Sequence, residues 1–284
     1  ILHTIHGYGV TPAQPFWQQK ALIALEWMVG RVTTHWIAVS QADRRQGIEW
    51  GLFTASKVSV VRPGIDPTAF AARIESTERD RLRAMLGVGP DQLLVGTVSC
   101  LKPQKSPEDF IRVAALVCQR VPAARCVLVG DGVLRPNIEA LLLAQGLQDR
   151  VTLLGWRRDV AALLKTFDVF VLTSQWEGLP CAILEARASR IPIVATRVGG
   201  AAEAIVEGIQ GTLCPAGDVR AMAERVCQIL EDERFRVDLR TGTQELPEEF
   251  TIQETLKQYQ SLYAYLLHAT RPSEDVMKLQ PNRL

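Results

Sequence analysis

The stretch VFVLTSQWEGLPCAILEARAS, residues 169–189, spans three kinds of backbone in one short segment. Residues 169–173 are apolar and β-branched with no polar alternation, which reads as a strand covered on both faces. Residues 174–178, SQWEG, read as a loop. Pro180 suits a first helical turn, and a helix is predicted over 181–190. In an open parallel sheet, ligands bind beyond the carboxyl ends of the strands, so this loop is a place to look for chemistry. Glu177 stands just outside the predicted helix. Glu185 lies inside it, about one and a half turns on. Two carboxylates at different depths of one cleft can hold hydroxyl groups on two parts of an extended ligand.

Working outward, the same strand pattern recurs at 2–6, 36–40, 58–62, 93–99, 125–129, 151–154 and 193–196. Helical spacing separates several of these runs, at 109–121, 134–147 and 220–230. In the first of these, Phe110, Val113, Ala114 and Val117 make one apolar face. Alternating β and α segments predict a doubly wound α/β sheet. The turn cluster RPGIDP (62–67) closes a first region, 1–67. A charged, helix-prone linker follows over 68–90, then a second α/β domain over 91–246. Residues 247–284 hold an amphipathic helix at 250–268 and a polar tail from 271. The first region has about three strands, whereas a complete nucleotide-binding half has five or six. It opens on ILHTIHGYG, which reads as a strand already in progress, so the expectation is a chain lacking its N-terminal strands.

Bulk composition narrows the function classes. Among 284 residues, 47% are hydrophobic and 22% charged, with a net charge of +1. That is ordinary globular composition, with no bulk pull toward nucleic acid. No apolar run reaches the length of a spanning helix, and none reads as a signal peptide. The six cysteines show no CxxC or metal spacing and mostly sit among apolar neighbours. They read as buried free thiols in a reducing compartment.

Each strand end has a bland reading and a chemical one. After 93–99 comes CLKPQKSP, in which Lys102 and Lys105 flank a proline near a helix start. They are either solvated loop lysines or phosphate ligands, since helix N-termini favour anions. After 125–129 comes GDGVLR, where Gly130 and Gly132 allow backbone to approach a ligand. It lacks the third glycine of a dinucleotide fingerprint and the lysine of a P-loop. Gly178 and Leu179 offer backbone amides to an anion. Glu177 is either a helix cap or a ligand contact; Glu185 is either a surface acid or a half-buried carboxylate in need of a partner. After 193–196 comes RVGGAAE, a further glycine pair opening a helix. His6 ends the first strand, and a lone histidine is as a rule structural. No Asp-x-Asp and no metal-ligand spacing occurs.

EGLP through Glu185 is similar to the E-x7-E motif of the retaining glycosyltransferases of family four. VGDGVLR (129–135), VTLLGWRRDV (151–160), VGGAAEAI (198–205) and GTLCPAGD (211–218) follow that family's order and spacing. TIHG (4–7), AVSQAD (38–43) and VRPGID (61–66) resemble the last elements of its acceptor domain. The resemblance runs from about Thr4 to Leu267. It implies a GT-B fold: two Rossmann-type domains, the first incomplete here.

It further implies transfer of a sugar from a nucleotide-diphosphate sugar to an acceptor hydroxyl, with retention of anomeric configuration and without metal or other cofactor. Glu177 would contact donor-sugar hydroxyls near the reacting carbon, and His6 would line the acceptor side. Glu185 would hold the ribose. Lys105, with the amides of Gly178 and Leu179, would neutralise the diphosphate. Gly155 to Arg157 would border the base. Cys100 stands where many members have an arginine, and Lys102 is the expected substitute. The acceptor would be a lipid, a glycan or a small molecule, and no nucleic acid partner is expected. A cytoplasmic location follows, with peripheral attachment of the full-length protein to the membrane face left open. Two alternatives remain: a fragment that binds nucleotide sugar without turnover, and a sugar-nucleotide epimerase of the same two-domain shape.

Overall fold

The computed structural model of the chain describes residues 1–11, 14–242 and 245–269. The predicted polar tail from 271 lies outside them. The first part holds β1 (Leu2–Ile5), α1 (Phe16–Gly30), β2 (His35–Ala38), α2 (Gln41–Glu49) and β3 (Val58–Val60). Next come α3 (Thr68–Ala71) and α4 (Ser76–Met85). β4 (Leu93–Val98), α5 (Pro107–Arg120), β5 (Ala124–Val129), α6 (Arg135–Ala144) and β6 (Val151–Gly155) follow. The chain continues through α7 (Val160–Leu164), β7 (Val169–Leu172), α8 (Cys181–Ala188), β8 (Ile193–Thr196), α9 (Ala201–Ala204) and β9 (Gly211–Cys214). It closes with α10 (Val219–Glu231), α11 (Glu233–Gly242) and α12 (Ile252–Ala269).

The strands form two parallel sheets, ordered β1-β2-β3 and β6-β5-β4-β7-β8-β9. The second order is the doubly wound arrangement 3-2-1-4-5-6, in which the chain reverses direction between β4 and β7. The apolar runs have their cause here. Val169 and Val171 of β7 face one core cluster with α5 and α10, while Phe170 and Leu172 face the other with α8. A strand buried on both faces has no solvent side on which to place polar residues. Burying Phe170 fully contributes about 2–3 kcal/mol.

All eight predicted strands occur, with ends displaced by a residue or two. A ninth, β9, was not expected as a strand from the apolar pattern; it pairs with β8 from Ile193↔Gly211 to Thr196↔Cys214. Helix α1 was also not foreseen. It is apolar on all sides, so it shows no clear period, and none of its residues is buried. In the linker, α4 is docked firmly. Buried Arg83 donates to Thr166 O at 2.8 Å and to Asp168 at 3.1 Å, and Asp168 also accepts the Leu94 amide at 2.8 Å.

Four cysteines are buried as expected, but Cys100 is half-buried and Cys181 exposed. Cys181 is the first residue of α8 and is exposed there rather than packed in the core. α12 returns to the three-stranded sheet, where Ile65 donates to Phe250 O and Ile252 donates to Ile65 O, both at 3.0 Å.

Candidate functional site

The loops after β4 and β7 emerge side by side at the reversal point, where a doubly wound sheet opens a crevice. Sequence chemistry then ties them together. Thr173 Oγ1 donates to Lys105 O at 3.0 Å and to Ser106 O at 2.9 Å. The Gln175 amide donates to Gln104 O at 2.8 Å, and Gln104 Nε2 donates to Trp176 O at 3.0 Å. The two loops are thereby held as one rigid rim.

On that rim, Lys105 Nζ is ion-paired with Glu177 Oε1, which also accepts the Ser174 hydroxyl at 2.6 Å. The Glu177 side chain is only 6% exposed, so its charge needs this company. Lys102 does not join them; its side chain is exposed. Downstream, α8 begins at Cys181, one residue past Pro180, and Glu185 stands in its second turn. Among the described residues, no donor is paired with the Glu185 carboxylate. Burial alone pushes its pKa up. The charges of Glu185, Lys105 and Glu177 all act on the Cys181 thiol, so the three lie in the neighbourhood of the start of α8. Burial is the main cause raising the pKa of that thiol. Among the described residues, no acceptor is paired with the Gly178 or Leu179 amide.

The first sheet meets this rim at two glycines. A Cβ on Gly7 would lie 2.9 Å from Gly178 N, and one on Gly178 would lie 2.8 Å from His6 C. Any larger residue at either position would drive the two sheets apart. This contact sets exposed His6 beside the loop carrying Glu177. Behind it, a Cβ on Gly199 would stand 1.8 Å from Glu177 O, and the Gly200 amide donates to Gly178 O at 2.6 Å. The glycine pair noted in the sequence thus supports the 177–178 backbone from below.

The remaining expected residues sit further out. A Cβ on Gly130 would lie 2.0 Å from Ser99 O, and one on Gly132 would lie 2.5 Å from Leu101 O. Those glycines hold the 130–132 turn against the loop after β4. Arg157 is exposed and bidentate to Asp159, at 2.8 and 2.5 Å, next to largely exposed Trp156.

Residues the sequence did not single out complete the arrangement. Glu203 of α9 accepts the Ala42 and Gln41 amides at 2.9 and 3.1 Å, capping α2 from the opposite sheet. Arg62 adds a contact at 2.9 Å to the same carboxylate and reaches Glu249 at 3.2 Å. Within α2, Ser40 Oγ accepts the Asp43 amide at 3.0 Å and donates to Asp43 Oδ2 at 2.9 Å, a reciprocal cap. Burial pushes the Asp43 pKa up to about 6, opposed by the Ser40 hydrogen bond and reinforced by Glu203. The Ser-x-x-Asp spacing was a readable signal for that cap; nothing local in the sequence pairs Glu203 with residues 41 and 42. Among the described residues, no group of three or more His, Cys, Asp or Glu is placed to hold a metal ion. Nor is any helix long and apolar enough to cross a membrane.

A doubly wound sheet with its acidic and basic groups at the reversal point, faced by a second parallel sheet, defines a nucleotide-binding class of architecture. The chain belongs to the family Glycosyl transferases group 1, whose model matches residues 78–246. It is similar to the Escherichia coli UDP-Gal:alpha-D-GlcNAc-diphosphoundecaprenol alpha-1,3-galactosyltransferase, at 27% identity over 93% of this chain and 68% of the relative. It is also similar to the Bacillus anthracis N-acetyl-alpha-D-glucosaminyl L-malate synthase, at 31% identity over 64% of this chain and 48% of the relative. The chain therefore spans from just under half to about two thirds of the length of these relatives. Among solved structures, Anabaena HepE in complex with UDP and glucose matches with a TM-score of 0.81 and 25% identity, over 93% of this chain and 71% of that one. Sucrose-phosphate synthase from Thermosynechococcus elongatus matches with a TM-score of 0.81 and 25% identity, over 95% and 68%. The fold is the GT-B arrangement of these glycosyltransferases, with the first of its two Rossmann-type units incomplete in this chain.

Proposed function

We propose that the chain binds a nucleotide-diphosphate sugar at the β4–β7 reversal point and transfers the sugar to an acceptor hydroxyl with retention of configuration. The single observation that carries this reading is the Lys105–Glu177 ion pair across the two loops at the reversal point, with amides without acceptors next to it and Glu185 in the second turn of the helix that follows. Departure of a nucleoside diphosphate puts negative charge on the leaving group. In this reading Lys105, once freed from Glu177, and the Gly178 and Leu179 amides take that charge in place of a metal. Glu177, released from Lys105 by the arriving diphosphate, turns to the sugar hydroxyls, and Glu185 takes the ribose. Lys102 and Arg157 act at the rim, on phosphate and base. Gly130 and Gly132 shape the floor. His6 faces the acceptor, whose proton passes to the departing phosphate. HepE, a structural relative, is seen with UDP and glucose, which favours a UDP-sugar donor.

In this reading the acceptor-side unit covers 1–67, the linker 68–90 and the donor unit 91–246, with 247–269 packing back on the first unit. The free cysteines fit a cytoplasmic location. The test is a calorimetric titration with UDP-, GDP- and ADP-sugars, followed by turnover assays. One of the donors is expected to bind and yield a glycoside of unchanged anomeric configuration. Binding with neither transfer nor hydrolysis would reduce the chain to a binding module. An epimerised donor without glycoside would make it an epimerase.

A further inference from the structure

Beside Glu177, between the two sheets, lies a cleft of about 580 Å³. Its lining combines two half-buried indoles, Trp50 at the end of α2 and Trp176 on the donor rim, with Gln19, Gln46, Asp43 and Glu177. No lysine or arginine is among the described residues that line it. We infer that this cleft seats a neutral pyranose, so that the acceptor presents an uncharged sugar ring rather than a carboxylate or phosphate.

This inference rests on the proposed transferase reading and narrows its acceptor. Flat indole faces match the C–H faces of a sugar ring, and side-chain amides and carboxylates match its hydroxyls. The Tyr8 ring packs edge-on against Trp50 at 4.8 Å, and the Tyr8 hydroxyl donates to Asp43 O at 2.9 Å. Trp50 is therefore held in place before any ligand arrives. Gln19 and Gln46 each commit one amide N–H, to Gln14 O and Glu49 Oε2, at 2.8 and 3.2 Å. Their carbonyl oxygens remain to accept from ligand hydroxyls. An anionic acceptor would meet Asp43 in the cleft and, close by, Glu203, with Lys105 engaged by Glu177 before the donor binds and by the diphosphate after.

The test measures ligand binding to the 284-residue chain by tryptophan fluorescence and saturation-transfer NMR, with UDP present at saturation. The probes are methyl α-D-glucopyranoside, methyl N-acetyl-β-D-glucosaminide, L-malate and inositol 1-phosphate. At least one hexoside is expected to bind about tenfold more tightly than either anion, a difference of about 1.4 kcal/mol. Trp50→Ala should weaken hexoside binding about tenfold and leave the UDP dissociation constant unchanged. Should Trp50→Ala fail to fold, Gln46→Ala serves instead, with a smaller loss in the same direction. Malate or inositol phosphate binding as tightly as the hexosides would overturn the inference. So would hexoside binding indifferent to both variants, or no hexoside binding with UDP in place. Failure to bind any nucleotide would count against the transferase reading, and hexoside binding would still be measurable without it.

Discussion

Lys105 and Glu177, 72 residues apart in sequence, form one ion pair that joins the loop after β4 to the loop after β7. Neither group is placed to act on a donor while the pair is closed. In the proposed reading, donor binding exchanges this pair, the diphosphate taking Lys105 and the sugar taking Glu177. Glu177→Ala is therefore expected to lower kcat about 100-fold while donor affinity changes little. Lys105→Ala should weaken donor binding and, by leaving Glu177 buried without its cation, lower stability by about 3 kcal/mol. Turnover, calorimetric titration and thermal melting check the three effects.

Glu185 has no partner among the described residues, so a ribose hydroxyl would supply its first hydrogen bond. Glu185→Ala should weaken donor binding about tenfold or more with kcat nearly preserved. Burial raises this carboxyl's pKa, so its charged form returns only above the ordinary glutamate range. Donor affinity is expected to fall as pH drops through that raised value, and Glu185→Gln should flatten the profile. Titration calorimetry across pH reads both.

Asp43 provides a stability test with a defined window. Its folded pKa, about 6, lies above the ordinary carboxyl value of 3.8. Protonation thus favours the folded state: the contribution is complete below 3.8 and is lost as pH rises through about 6. Relative to Asp43→Asn, the unmodified chain should lose stability on the order of 3 kcal/mol across that window. Parallel denaturant melts of both proteins at several pH values measure the difference.

Glu203 bridges the sheets by capping α2 from α9. Glu203→Ala should uncover the Gln41 and Ala42 amides and speed their hydrogen exchange, with a stability loss of about 2 kcal/mol. Exchange at the core strands β7 and β8 should be affected far less. Mass spectrometry of exchanged peptides distinguishes such local release from global unfolding.

Arg83 and Asp168 are both buried, and α4 depends on them. Arg83→Ala leaves Asp168 with weaker compensation and should cost about 3–5 kcal/mol. A melt showing less than about 1 kcal/mol would mean that Arg79, 3.3 Å from the same carboxylate, suffices alone.

Several features of this protein are determined locally, and for those the sequence suffices. Unbroken apolar runs such as VFVL reflect burial on both faces, which only a covered parallel sheet supplies. The strand–loop–helix passage at 169–189 places Glu177 outside α8 and Glu185 within it through turn chemistry alone. The family resemblance read from those motifs agrees with the family match over 78–246.

Tertiary structure decided what depends on partners distant in the chain. GTLC at 211–214 became a strand because β8 was there to pair with it. Helix α1, apolar all round, has no periodic signal to read. The apolar neighbours of Cys181 predict burial, yet as the first residue of α8 it is exposed. The Lys105–Glu177 pair, the Gly7–Gly178 contact and the capping of α2 by Glu203 each join segments many residues apart. Sheet order brings them together, and a one-dimensional pattern of apolar and polar residues carries no record of which strand lies beside which.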